Sequence, residues 1–305
     1  MSVLALFLIG HAPSRPLNLA TIEGVISQVG TSGGFLLLFA SAAISLTLQP
    51  LQFRLVQLYE GYWSARWLGG LFRFGVWRQT RRFDRFASQT ASVAVEGDGR
   101  RRLAQERRDD ARSALLSRLP SRDHLLPTEL GNVLRAMEQR AGARYGIESI
   151  LIWRRLYPVL PKDHAESLEN EVIQLDVSVR LSATWVCTGL VALGLLVRQP
   201  HRAWQHWPWL VVVGLLFVAS WMAYRAAIES ALAHSSDVEV TLDLFRDFVL
   251  DASRMAPART LGGERKQFDR LVRLYTSRTP DHGVDYALAP RRLTMPGAES
   301  PTPRV

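Results

Sequence analysis

LSATWVCTGLVALGLLVRQPHRAWQHWPWLVVVGLLFVASWMAYR, residues 181–225, holds two uncharged runs joined by a short arginine-bearing link. Residues 181–197 are uncharged between Arg180 and Arg198, and residues 203–224 between Arg202 and Arg225. A helix needs about 20 apolar residues to cross the hydrocarbon core of a bilayer. The first run is short for that task, but arginines at both ends can snorkel to the interface. In the second, Pro208 fits the first helical turn. Trp204, Trp207, Trp209, Trp221 and Tyr224 sit near its two ends, where an aromatic belt is expected. A further uncharged run extends from Gly24 to Phe53. Its apolar centre is FLLLFASAAISLT, residues 35–47, and Pro50 closes it.

The average composition hides these blocks. The chain has 305 residues, 48% of them hydrophobic, and a mean hydropathy of +0.01. A soluble fold spreads its apolar residues periodically, because one face of each element is buried. Here they are concentrated, with charge-rich stretches between. The reading is a mostly α, polytopic α-helical membrane protein with three transmembrane helices and a helical cytoplasmic region. Its parts are an N-terminal segment (1–30), the first span (31–50) and a cytoplasmic helical region (51–179). The second span (180–198), a short outer loop (199–206) and the third span (207–225) follow. A cytoplasmic helical tail (226–280) and a disordered C-terminus (281–305) complete the chain. Residues 1–10 are apolar but lack a basic n-region and a small-residue cleavage site, so they read as a retained interfacial segment. Pro13, Arg15 and Pro16 argue against a further span there.

Orientation follows from lysine and arginine. One such residue precedes the first span, 22 lie in residues 54–180, two lie between the second and third spans, and 12 follow the third. The N-terminus is therefore expected outside and the C-terminus in the cytoplasm, in the cell membrane. The same distribution accounts for a net charge of +9, so nucleic acid is an unlikely partner. The single cysteine, Cys187, cannot form an internal disulfide and reads as a packing residue.

Behind the first span, residues 51–86 mix aromatics with arginine. Leu51, Leu55, Leu58, Tyr59 and Tyr62 recur at helical spacing, and Gly61 and Gly69–Gly70 divide the stretch. Such a composition beneath a bilayer points to anionic lipid headgroups. Residues 87–100 read as a loop, and Arg100 to Arg118 as a solvated helix ending before Pro120. Pro127 and Thr128 open a helix with a stripe at Leu130, Val133, Leu134 and Met137. Another begins at Pro161, with Asp163, Glu166 and Glu169 near its positive end. Its stripe continues into the second span, as one long helix would. Separate amphipathic helices are expected around Leu242–Val249 and around Phe268–Tyr275.

Residues 127–161, PTELGNVLRAMEQRAGARYGIESILIWRRLYPVLP, carry the most distinctive pattern. They resemble a group of bacterial membrane proteins, mainly actinobacterial, whose pattern reads PTxLGNxLRAxE and then RYGxDAxxxWPRLxxxLP. Glu148 stands here for the usual Asp, and Arg154 for the usual Pro. The resemblance implies a membrane protein of this topology and brings no activity. Within the stretch, Asn132, Arg135, Glu138, Arg144, Tyr145, Trp153 and Arg155 form the candidate polar cluster. They would make either a buried polar network that fixes one geometry or a grip for a headgroup or partner.

No P-loop, HExxH, GxSxG or strand-linked GxGxxG occurs in the sequence. His201 and His206 share the outer loop without a carboxylate, a weak metal pair. Asp163, His164 and Glu166 read as a solvated helix start. No cofactor is expected. Between their end arginines the spans contain no Asp, Glu, Lys or Arg, which argues against an ion-coupled transporter. The expected role is a non-enzymatic anchor, scaffold or sensor that recruits a cytoplasmic protein partner. The alternatives are a homo-oligomeric channel or transport accessory subunit, lined by Ser41, Ser45, Thr184 and Thr188, and a membrane enzyme using Arg135, Glu138, Arg144, Tyr145 or Arg155.

Overall fold

A computed structural model describes residues 35, 39, 52–63, 68–91, 98–197, 207–255 and 258–276. The described residues are mostly helical and contain no strand. The helices are α1 (Gln52–Glu60), α2 (Gly69–Ala91), α3 (Asp98–Arg118), α4 (Glu129–Arg140), α5 (Ser149–Leu156), α6 (Lys162–Val197), α7 (Trp207–Ala252) and α8 (Leu261–Thr276). Short 3-10 turns cover Arg122–His124, Ala143–Tyr145 and Tyr157–Val159. The chain divides into two compact units, residues 1–63 with 174–229, and residues 64–173 with 230–305.

The first unit contains α1 and the apolar lengths of α6 and α7. Those two helices are long and apolar enough to cross a membrane. A core helix of a soluble protein passes the same test, but it would be mostly buried. Here only 33% and 28% of the apolar windows are buried. Leu190, Val197, Leu215, Val218, Trp221 and Met222 face outward and stay more than half exposed among the described residues. Cys187, expected to pack, is also exposed. The predicted first span lies outside the described residues apart from Phe35 and Phe39, which are helical and exposed. The 199–206 loop and the 281–305 tail also lie outside them.

Small polar groups join these helices. Ser220 Oγ donates to the Ser182 carbonyl at 2.8 Å, and the two hydroxyls lie 3.2 Å apart. Tyr59 on α1 donates its hydroxyl to Ser182 Oγ at 3.1 Å, and its ring lies 5.9 Å from that of Tyr224. Gly189 faces the Phe217 ring so closely that an added Cβ would come within 3.2 Å of it. Ala192, Trp209, Val213 and Leu216 form the apolar contact beyond. Thr188 is buried, with its hydroxyl donating to the Thr184 carbonyl of its own helix at 2.8 Å.

The second unit has a core of its own. Ile152 and Leu156 of α5, Leu168 of α6, Leu242 and Val249 of α7, and Phe268 and Leu271 of α8 pack in one cluster. On its other side α2 packs on α3 and α3 on α4. Gly75 of α2 meets Pro127 so tightly that a Cβ there would sit 2.5 Å from the proline Cβ.

Two expectations about element boundaries change. No separate helix begins near Leu242, because α7 runs unbroken from Trp207 to Ala252. Residues 225–252 contain neither proline nor glycine, so nothing stops the helix. The predicted loop also shrinks. Residues 87–91 continue α2, with the Ser88 and Thr90 hydroxyls bonding back to the Arg85 and Ala87 carbonyls. Residues 92–97 lie outside the described residues.

The serine bridge yields a test in detergent micelles. Ser220→Ala removes the donor to the Ser182 carbonyl and is expected to cost about 0.6–1.7 kcal/mol. A lower thermal midpoint, with unchanged helical content by circular dichroism, is the expected result.

Candidate functional site

The 127–161 stretch folds as two short helices around a glycine turn. Thr128 caps α4 by accepting from the Gly131 N–H at 3.1 Å. Glu129 in the first turn reaches Arg82 of α2 at 2.7 Å and Arg118 of α3 at 3.2 Å, so one carboxylate ties three helices. Asn132 is fully buried. Its Oδ1 accepts from the Leu126 N–H at 2.7 Å and its Nδ2 donates to the Leu126 carbonyl at 3.0 Å. It therefore satisfies both backbone polar groups of Leu126, a half-buried loop residue that has no helix to join. Gly142 and Gly146 take φ of 75° and 71°, where a side chain is strained, and turn the chain from α4 into α5. Ser149 Oγ then donates to the Glu138 carbonyl at 2.8 Å.

The seven predicted residues do not form one network. Arg135 and Glu138 meet each other at 3.1 Å, as a partly exposed pair within α4. The remaining five make separate contacts. Tyr145 is buried beneath the Arg246 guanidinium, 4.0 Å from its ring, and Arg246 pairs with Glu264 of α8 at 2.5 Å. The Arg144 carbonyl accepts from Arg265 Nε at 2.8 Å, while its own side chain is exposed. Arg155 lies 3.5 Å over the Tyr275 ring. Trp153 and Tyr157 have ring centroids 6.2 Å apart. The glycine turn separates the residues: those before it lie on α4, and those after it reach toward α7 and α8.

The structure does place Glu138 and Trp153 around a common cavity of about 210 Å³. Met137, Ile150, Trp153 and Val238 supply apolar walls, and Glu138, Arg154 and His234 supply polar groups. Sequence reading passed over His234, which sits on α7, some 80 residues downstream of the motif in the chain.

His234 belongs to a titratable cluster with Glu171 of α6 and Asp237 of α7. Its Nδ1 lies 3.4 Å from Glu171 Oε2, and neither atom makes a well-formed hydrogen bond. Burial, then a hydrogen bond to Asp237 and the charge of that carboxylate, push Glu171 up to about 7. Burial holds His234 below its ordinary 6.5, against the pull of Asp237. Between the lowered range of His234 and the raised range of Glu171 both groups are largely neutral, and there their approach is not an ion pair. One further histidine departs from expectation. His164 is no solvated helix start; its Nε2 lies 2.7 Å from Thr241 Oγ1 and its ring packs on Phe245. Among the described residues, no group of three His, Cys, Asp or Glu side chains is placed to hold a metal ion.

Two variants test this geometry. Asn132→Ala strands the Leu126 N–H and carbonyl and is expected to cost about 2–4 kcal/mol. Thermal unfolding of the purified protein reads this. Glu171→Gln tests the cluster. A raised carboxyl favours the folded state fully below 4.5, and that contribution is lost as pH rises through about 7. The depressed His234 acts oppositely, favouring the folded state above 6.5 and losing that as pH falls. Glu171→Gln should therefore raise the midpoint by roughly 2–4 °C at alkaline pH, and little at pH below the ordinary glutamate value. A scanning-fluorimetry pH series checks the sign.

No protein-family model matches the chain, and no curated protein or solved structure matches it, so the resemblance noted for residues 127–161 rests on their motif alone.

Proposed function

We propose that the protein is a non-enzymatic membrane anchor that recruits a cytoplasmic protein partner. In this reading three helices, 31–50, 180–198 and 207–225, cross the cell membrane, with the N-terminus outside and the helical unit in the cytoplasm. The uncovered apolar faces of α6 and α7 and the one-sided arginine distribution support the first part.

The cavity at Trp153 carries the second. Its volume of about 210 Å³ falls below the roughly 300–1,000 Å³ of drug-sized ligand sites. It suits a single apolar side chain. Apolar walls beside charged Glu138 and Arg154 match an interface anchor pocket, in which a buried hydrophobic group is framed by polar contacts. The partner is then a segment presenting one large apolar residue, with a basic group toward Glu138 and an acidic group toward Arg154. The Ser220 hydroxyl is spent on a contact between helices and that of buried Thr188 on a carbonyl of its own helix, which supports packing over a pore lining.

The test combines topology and capture. Reporters fused after residue 20 and after residue 290 should read outside and cytoplasmic. A photo-crosslinking residue at the exposed position Ile150 should capture one cytoplasmic species in cells. That product should fall at least several-fold with Trp153→Ala or Arg154→Glu at equal membrane abundance. A cytoplasmic reading at residue 20 overturns the topology, and self-crosslinks alone overturn recruitment in favour of an oligomer.

A further inference from the structure

The aromatic and arginine-rich stretch behind the first span folds into α2, and one face of that helix packs within its own unit. Gly75 abuts Pro127, Gln79 is 3% exposed, and Arg82 is paired with Glu129. The opposite face is open. Leu71, Phe74 and Trp77 are 59%, 59% and 48% exposed at three-residue spacing. Arg73, Arg78, Arg81 and Arg85 are exposed beside and beyond them. Phe74 and Trp77 stack with centroids 5.7 Å apart, and the Arg81 guanidinium lies 4.0 Å over the Trp77 ring. The acid on this face, Asp84, is met by Arg122 at 3.3 Å.

Three large apolar side chains at successive turns need a hydrophobic counter-surface, and the four arginines an anionic one. An acidic protein surface meets the second need and leaves the first unmet. The boundary between headgroups and acyl chains of an anionic bilayer meets both, since aromatics insert there while guanidiniums bind phosphate. The chain order agrees. α2 starts eight residues after Gly61, which ends α1, and the Tyr59 hydroxyl of α1 bonds to Ser182 on apolar helix α6.

Resting on the membrane-anchor reading, we propose that the outward stripe of α2 is an anionic-lipid docking surface. Leu71, Phe74 and Trp77 enter the headgroup boundary, and Arg73, Arg78, Arg81 and Arg85 bind lipid phosphates. The helix fixes the unit to the cytoplasmic leaflet and makes its seating depend on the lipid charge of that leaflet.

The full-length protein in lipid nanodiscs tests this. Cys187→Ser clears the background, and Phe74→Cys carries an environment-sensitive dye, with Leu71→Cys as a second site. Discs contain phosphatidylcholine alone or with phosphatidylglycerol, with or without brominated acyl chains. The expected result is a blue shift and bromine quenching, both larger with phosphatidylglycerol and reduced by high salt. Charge removal in Arg78→Gln/Arg81→Gln/Arg85→Gln should return the signal to its level in neutral discs, with thermal midpoint unchanged. Should that triple variant lose its fold, the salt and lipid series on the parent protein decides.

A water-like emission in both disc types overturns the proposal. So does equal quenching in both, which means apolar burial without headgroup recognition. Protection of the dye only on addition of an acidic protein assigns the face to that partner instead. Failure to enter discs counts against the membrane-anchor reading itself, whereas entry with a water-exposed dye counts against α2 alone.

Discussion

α6 and α7 each have to satisfy two environments with one uninterrupted backbone. Along residues 181–197 and 209–222 their large outward side chains are apolar and exposed among the described residues, while a narrow inner seam is filled by Ser182, Gly189, Ser220 and their neighbours. Beyond those lengths the same helices become amphipathic, and Leu168, Leu242 and Val249 enter the core shared with α5 and α8. A helix apolar on every side has no soluble solution unless it is buried all round. These helices are not. Within the first unit α1 docks by Tyr59 on the seam, and within the second α5 and α8 pack on the amphipathic ends.

The polar residues of the 127–161 stretch make physical sense as fastenings. A loop such as residues 125–127 cannot pair its peptide groups in a helix, so Asn132 supplies both a donor and an acceptor. The junction of α5 with α8 and that of the glycine turn with α7 use one cation each, Arg155 on Tyr275 and Arg246 on Tyr145. A guanidinium over an aromatic face is held by the charge distribution of the ring, and for Arg246 the Glu264 carboxylate adds a second hold. Such contacts hold short helices whose own hydrogen bonding is too limited for independent stability. The cavity is what remains where α4, α5 and α7 meet without filling the space between them.

Local features were legible in the sequence. The Thr128 cap, the ends of α1 and α4 at Gly61 and Gly142, and the run of one helix from Pro161 into the apolar segment follow from neighbouring residues. Glu138 and Trp153 were named from the motif, and both line the cavity. What was not legible is long-range. Glu129 looks like any helix-start acid, and only the fold brings Arg82 and Arg118 to it. His234 and Asp237 look like a solvated helix face, and Glu171 sits in an ordinary acidic stretch. Their partnership spans more than 60 residues and has no period to reveal it. The unbroken length of α7 was missed for a different reason. A change from uniform apolarity to amphipathic pattern reads as a boundary, yet the backbone needs a proline, glycine or cap to stop.

The cluster behind the cavity bears on what the cavity can hold. Two carboxyls and an imidazole placed together in a partly buried site cannot all be charged without a large desolvation cost. Burial favours the neutral form of both Glu171 and His234, raising the carboxyl and lowering the ring. His234 then offers the cavity a neutral ring edge. The charges at its mouth are those of Glu138 and Arg154, of opposite sign and with no net preference for cation or anion. Deprotonating Glu171 as pH rises through about 7 places a negative charge beside the His234 ring and so makes the ground behind the cavity wall more polar. A partner seated against that wall by an apolar side chain would meet a more polar surface, and its affinity would fall as the cluster ionised.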